Sequence, residues 1–332
     1  MKRILKILLA LTLMVGCVLS SFSINEVKAA DNNISATDWM SNISDDTYLS
    51  SVTVPGTHDS ATAHIFPSFF LQCQTQSFKE QLNSGYRYLD IRLALDETEE
   101  GEKLKFIHSF GTCKKGSSFL QLFSETLYLE DALEDIYEFL DEHPSETIIF
   151  CVKSENSDDD PSVFESKFFE AIDENSSKWY TENEIPSLGD VRGKIVLATR
   201  FEDVNGLGET RTGLHFNWSN QDNKEAIIDT QEVTMITESN QLWVQDRYKY
   251  NVETKWDAIV ESLENCQAGD ETFSLNFCST SGNGYAGHPK KYARILNKNL
   301  LDYEFSSQTS YGVIIVDFGN EELARHIYST NF

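Results

Sequence analysis

Eight short apolar runs alternating with helix-like stretches in a chain of 332 residues predict the α/β class, as a single, imperfect (β/α)8-type TIM barrel. Two further observations point the same way. Several runs are apolar throughout, as strands buried on both faces of a parallel sheet are. Beyond the N-terminus no internal repeat, Pro/Ser linker or second long apolar span divides the chain.

The strand candidates are residues 52–54, 88–93, 105–107, 147–152, 195–199, 242–245, 273–277 and 312–316. The clearest helix lies over 129–140. There Leu129, Ala132, Leu133, Ile136, Phe139 and Leu140 recur at helical spacing, with Glu134, Asp135 and Glu138 turned away. Pro144 stops it before the next strand. A second helix spans 289–303, with Pro289 in its first turn. Ser157-Asp158-Asp159-Asp160-Pro161 reads as an acidic surface loop, because it lacks the Gly and distal Glu of a calcium loop.

Residues 1–30 read as a secretory signal of bacterial type, leaving 31–332 as one catalytic barrel. Met1-Lys2-Arg3-Ile4-Leu5-Lys6 is basic, Ile7 to Leu19 is nearly all apolar, and Val27-Lys28-Ala29-Ala30 offers a small-residue cleavage site. The apolar stretch is too short and wrongly flanked for a stable membrane span. Gly16-Cys17 opens the lesser alternative of lipoprotein anchoring through Cys17, which Met14 at the expected aliphatic position disfavours. The expected location is extracellular.

The formal charge is −26, and removing residues 1–30, with four cations against one acidic residue, leaves −29. So acidic a surface excludes nucleic acid as a partner, since that binding depends on basic patches releasing counterions. It also argues against polybasic capture by anionic lipid, so apolar insertion would have to carry any membrane adsorption. Cys73, Cys113, Cys151, Cys266 and Cys278 match no zinc spacing, and buried thiols with at most one or two disulfides are expected. Cys73 with Cys113 is the first pair to test.

Chemistry gathers where strands end. In such barrels the site lies at the carboxyl ends of the strands. His58 follows the first strand in Val54-Pro55-Gly56-Thr57-His58-Asp59-Ser60. Asp90 and Arg92 stand two apart in the second, so both face one side. His108 closes the third, Lys153 the fourth and Arg200 the fifth; Asp246 and Tyr248 end a later strand, and Asp317 the last. Polar residues recurring at one end of successive strands are hard to explain as packing. Two histidines and an arginine so placed can cleave a phosphodiester without a metal: one His takes a proton, the other gives one, and Arg neutralises the phosphoryl oxygens. Imidazole suits both tasks because it titrates near neutrality.

Pro55-Gly56-Thr57-His58-Asp59-Ser60, the segment 76–92 ending in Asp90-Ile91-Arg92, and then Ile107-His108, Val152-Lys153, Gln245-Asp246-Arg247-Tyr248 and Ile315-Val316-Asp317-Phe318 resemble, in that order, the X-domain family of bacterial phosphatidylinositol-specific phospholipase C. The resemblance runs over roughly residues 40–320. It implies His58 as general base on the inositol 2-hydroxyl, oriented by Asp317, and Arg92 as the phosphate-binding group. It implies His108 as general acid, assisted by Asp59, and Asp90 as support for that acid and the arginine. Lys153, Arg200 and Asp246 would bind inositol hydroxyls, with the Tyr248 ring against the sugar face. The products would be diacylglycerol and inositol 1,2-cyclic phosphate.

Arg92 stands where the calcium-dependent relatives carry an acidic residue, so the resemblance implies no metal and no cofactor. A monomer acting on phosphatidylinositol-containing membranes is expected, with glycosyl-phosphatidylinositol (GPI)-anchored proteins as a further class of partner. In related enzymes a short apolar helix behind the first histidine enters the interface; here Ile65, Phe66, Phe69 and Phe70 are the membrane-contact candidates. The Gly282 to Gly287 loop is a second rim candidate. His64, His143, His215, His288 and His326 are assigned surface or structural roles. Two alternatives stay open: a metal-dependent glycerophosphodiesterase- or sphingomyelinase-type barrel, and a catalytically silent inositol-lipid-binding or adhesion protein.

Overall fold

Twelve strands and eight α-helices alternate in the computed structural model, which describes residues 34–116, 124–284 and 287–332. The leader expected at 1–30 lies outside the described residues. The strands are β1 (Val54–Thr57), β2 (Tyr88–Thr98), β3 (Gly101–His108), β4 (Gly111–Thr112), β5 (Ile148–Ser154) and β6 (Trp179–Tyr180), then β7 (Ile195–Thr199), β8 (Leu214–His215), β9 (Glu232–Met235), β10 (Gln241–Gln245), β11 (Thr272–Phe277) and β12 (Val313–Val316). The helices are α1 (Ser68–Leu71), α2 (Phe78–Asn83), α3 (Leu129–Glu142), α4 (Pro161–Asp173), α5 (Leu188–Val191), α6 (Val252–Glu264), α7 (Pro289–Leu301) and α8 (Glu321–Tyr328).

Eight strands run parallel around a barrel. From β1 the order passes through β2, β5 and β7 to β8 in one direction, and through β12 and β11 to β10 in the other. No pairing joins β8 to β10 among the described residues, so the barrel is open there, and β9 lies antiparallel on the outer edge of β10. The imperfect (β/α)8 barrel read from the sequence is the fold observed.

One strand differs from expectation. The run 105–107 belongs to β3, which turns back antiparallel on β2 and takes no place in the barrel wall. The wall position falls instead to β8, whose two residues are too few to leave a periodic signal.

Burial follows the sequence pattern. β1, β7 and β12 are buried at every residue, as strands sandwiched between lumen and helices must be. On α3 the buried residues are the six named from periodicity. They join Leu93, Phe106, Phe150, Val152 and Phe168 in one apolar cluster between sheet and helices. The acidic loop has structural work: Asp160 caps α4 through the Ser162 and Val163 amides, and Asp159 Oδ2 accepts the Leu95 amide at 2.7 Å. The five cysteines 73, 113, 151, 266 and 278 are all free, so the candidate pair Cys73 and Cys113 forms no bridge and the reading of reduced thiols holds. Cys73 turns toward Asp59, whereas the Cys113 backbone bridges to Ile65.

Candidate active site

Strand register sets the level of the site. Thr57 pairs with Val316 on one side and Leu89 on the other, which carries His58 alongside Asp317 and Asp90. Arg92 pairs with Lys153, and Val152 with Thr199, so Arg200 follows at the same height. His108 reaches that level differently. Its hairpin returns along β2, with Leu93 opposite Phe106, and delivers the ring from above the wall. Gly111 makes this fold-over possible, because a Cβ there would meet Leu71 Cδ1 at 2.5 Å and Ile65 Cδ1 at 3.0 Å.

The chain bends sharply just beyond three of these residues. Asp59, Ser109 and Phe318 adopt positive φ of 44°, 54° and 50°, immediately after His58, His108 and Asp317. Left-handed backbone at a residue with a Cβ costs roughly 1–2 kcal/mol. Three such turns at one level show strain concentrated at the site, as is common where side chains must be aimed.

Asp59 is the hub. Its carboxylate lies 3.3 Å from His58 Nε2, 3.2 Å from His108 Nε2 and 2.9 Å from Arg92 Nε. The arginine contact is an ion pair without hydrogen-bond alignment, and Asp59 Oδ1 is left with no hydrogen bond among the described residues. Asp90 Oδ2 accepts from Arg92 Nη2 at 3.1 Å and from the Asp59 amide at 3.2 Å. His58 Nδ1 meets Asp317 Oδ1 at 2.8 Å, and its Nε2 lies 3.0 Å from Arg92 Nη2. His108 Nδ1 faces the Leu71 carbonyl at 2.7 Å, so both of its ring nitrogens address oxygen acceptors, the pattern of a proton donor. The two imidazoles stand 6.4 Å apart between ring centres.

The charges tune one another. Burial would lower the His58 pKa, but Asp59 and Asp317 outweigh it and push it up to about 9, with Arg92 opposing. The Arg92 donor at Nε2 favours a neutral ring, yet two carboxylates against one guanidinium decide for the charged form. Burial would raise Asp59 and Asp90; Arg92 above all holds both below the usual carboxylate range. Burial and the nearby Asp317 and Asp59 charges drive the Cys73 thiol well above its ordinary value, so it is no nucleophile.

Eight of the ten catalytic and substrate-binding candidates line one cavity of about 830 Å³, and Asp59 and Asp90 are buried beside it. Lys153 Nζ pairs with Glu155 Oε2 at 2.9 Å, Asp246 Oδ2 accepts from Trp218 Nε1 at 3.1 Å, and the Tyr248 hydroxyl donates to Asn220 Oδ1 at 2.6 Å. Glu155 and Trp218 are among the lining residues that escaped the sequence reading. Glu155 joins Lys153 to Arg92 Nη1, at 3.5 Å from the latter. Trp218 lies 3.6 Å below the Arg200 guanidinium while its N–H holds Asp246. Glu155 stands two residues beyond Lys153 on the same strand face, a signal that was available; Trp218 lies in an irregular stretch with none.

His58, Asp59 and Asp90, and separately Cys73 with Asp59 and His108 or with His58 and Asp317, bring potential metal-ligating atoms within 4.8 Å. A cation at His58, Asp59 and Asp90 would have to share its carboxylates with the Arg92 guanidinium, already 2.9 and 3.1 Å away. Of the membrane-contact candidates, Phe66, Phe69 and Phe70 are exposed at 57%, 65% and 42%. Ile65 is fully buried, which removes it from that role: its backbone bridges Cys113 and its side chain packs beneath the hairpin. Phe110, at the hairpin tip two residues beyond His108, is 76% exposed and joins the rim unforeseen. Part of the Gly282 to Gly287 loop lies outside the described residues.

Comparison with known proteins agrees with this geometry. Residues 57–201 match the model of the phosphatidylinositol-specific phospholipase C X domain, a span holding His58, Asp59, Asp90, Arg92, His108, Lys153 and Arg200. The chain is 28% identical over 320 residues to a 1-phosphatidylinositol phosphodiesterase of Listeria monocytogenes, covering 92% of this chain and 88% of that one. A protein of the same name from Staphylococcus aureus is 26% identical, with 89% and 94% covered. The solved Listeria phospholipase C superposes with a TM-score of 0.67 at 26% identity, over 90% of this chain and all of the other. The His58 and His108 level, the open barrel and these matches converge: the chain is similar to the phosphatidylinositol-specific phospholipase C X-domain family over most of its length.

Proposed function

We propose that this protein is an exported phosphatidylinositol-specific phospholipase C that cleaves the glycerol-side phosphodiester by internal transfer. His58 Nε2 takes the proton of the inositol 2-hydroxyl, and that oxygen bonds to phosphorus. The bond from phosphorus to the diacylglycerol oxygen breaks, and His108 Nε2 gives that oxygen its proton. Inositol 1,2-cyclic phosphate and diacylglycerol leave, and the two histidines have exchanged protonation states. The neighbouring hydroxyl is a nucleophile already in position, which removes much of the entropic barrier.

The observation that carries this reading is Asp59 tied at 3.2–3.3 Å to both imidazoles, with Arg92 paired to the same carboxylate. Arg92 offers the developing phosphoryl charge a guanidinium fork, the task a metal ion performs elsewhere. Asp317 fixes the His58 ring through Nδ1, and the Leu71 carbonyl does the same for His108. Lys153, Arg200 and Asp246 take the inositol hydroxyls, with Tyr248 against the ring.

The expected cofactor is none. Residues 1–30 serve as the export signal and 31–332 as the catalytic unit, acting as a monomer at phosphatidylinositol-containing membranes and on the lipid of GPI-anchored proteins. Phe66, Phe69, Phe70 and Phe110 make the membrane contact. The test is purified protein on phosphatidylinositol vesicles in excess chelator, with products resolved by phosphorus NMR. The cyclic phosphate is expected; no turnover on any inositol lipid, or activity that calcium alone restores, defeats the proposal.

A further inference from the structure

The strongly acidic chain hides a local exception. Lys290, Lys291 and Arg294 stand exposed in the first six residues of α7, and among the described residues none of the three forms an ion pair. Cations are disfavoured there, since a helix N-terminus already carries positive partial charge. No acidic residue occupies that first turn and no side chain caps it. Lys290 and Lys291 in that turn, with Arg294 one turn further on, leave a positive charge distribution that an anion would relieve.

These residues line a groove of about 760 Å³ together with the apolar side chains of Phe69, Ile295 and Phe318. His288 adds a buried Nδ1 without a hydrogen-bond partner among the described residues. The groove adjoins the active-site cavity, since Gly287 and Pro289 line the latter while His288 and Lys290 line the former. Its apolar edge is α1, whose exposed Phe69 packs on His288 at 4.7 Å. Cations beside exposed aromatics are the composition of a surface that meets lipid headgroups.

We infer that this groove seats the phosphate of an anionic phospholipid other than the substrate, so that the protein docks on anionic bilayers despite its net negative charge. The inference rests on the membrane reading of the aromatic rim and adds a second, non-reacting lipid to it. It also reverses the expectation from total charge, because screening confines the relevant field to about 8–10 Å.

The test uses sucrose-loaded vesicles without inositol lipid: phosphatidylcholine alone, and phosphatidylcholine with phosphatidylglycerol. Partitioning of the full chain should rise with phosphatidylglycerol and fall back in high salt. K290Q/K291Q/R294Q should lose roughly 100-fold of that increment, about fivefold per cation, while still cleaving a soluble inositol phosphodiester at the wild-type rate. Equal wild-type binding to both vesicles, or an increment the triple variant keeps, overturns the inference. So does glycerophosphate that shifts the His288 resonances when phosphatidylglycerol adds no binding, since the groove then takes only a free phosphate. Failure of the catalytic proposal would appear separately, as no turnover of the soluble substrate.

Discussion

Arg87 and Arg92 are five residues apart, both paired with buried carboxylates, and they illustrate two uses of the same chemistry. Arg87, just before β2, is fully satisfied. Its Nε bonds Glu146 at 2.9 Å, and its other donors reach the carbonyls of Leu82, Tyr86, Ala36 and Thr37 at 2.7–3.0 Å. Glu146 in turn accepts the Met40 amide, so the pair locks the segment before β1 onto the base of the barrel. Arg92 faces three carboxylates and a histidine, and two of the carboxylate oxygens around it, on Asp59 and Asp90, lack any hydrogen bond among the described residues. A closed network holds structure together. An unsatisfied one, opening on a cavity, is held ready for a ligand.

The sharpest break of this contrast is at the histidines. His58→Ala and His108→Ala should each lower kcat by up to about 10,000-fold on phosphatidylinositol in detergent micelles. A loss below tenfold for either would remove it from proton transfer.

The arginines themselves come next. Arg87→Met should destabilise the fold by about 3–5 kcal/mol in urea unfolding, because Glu146 is left charged and buried, and adding Glu146→Leu should recover most of it. Arg92→Gln should reduce kcat/KM by roughly 100–1000-fold, with a smaller stability change than Arg87→Met. The contrast collapses if the two variants exchange these phenotypes.

Proton linkage gives a third handle. His58 has a pKa raised from 6.5 to about 9 in the folded chain, so its charge contributes stability that is complete below the unfolded value of 6.5. That contribution, about 3 kcal/mol, fades as pH rises from 6.5 through 9. The base works unprotonated, so kcat/KM should climb with pH over the same window. Asp317→Asn removes one raising carboxylate and should shift both the histidine NMR titration and the kinetic limb to lower pH. An unmoved titration would show that Asp317 does not govern the ring.

The smallest effect concerns the rim. Phe69→Ala with Phe70→Ala should weaken vesicle activity by roughly tenfold and leave cleavage of a soluble inositol phosphodiester nearly unchanged. Equal losses on both would mean that these aromatics pack on the barrel.

Much of this site was legible because its residues follow a simple rule: polar side chains at the ends of apolar strands. His58, Arg92, Lys153, Arg200 and Asp317 all obey it, and register brings them together as expected. His108 ends its run but comes from a hairpin outside the wall, a difference that periodicity cannot express. Ile65 and Phe110 exchanged places for a related reason. Apolar composition marks a residue as buried or lipid-facing without choosing between them, and the choice fell to how the hairpin folds over α1.

The sequence by itself determined the barrel class, the buried face of α3 and the order of the chemical groups, because strand and helix periodicity and residue chemistry are local properties. Only the tertiary structure decided that Asp59 joins both imidazoles to Arg92, that β8 rather than β3 supplies the eighth wall strand, and that Lys290, Lys291 and Arg294 stand without an ion pair among the described residues of an acidic protein. Those depend on register, loop reversal and distances between residues far apart in the chain, where net composition averages away the fields that act over a few ångströms.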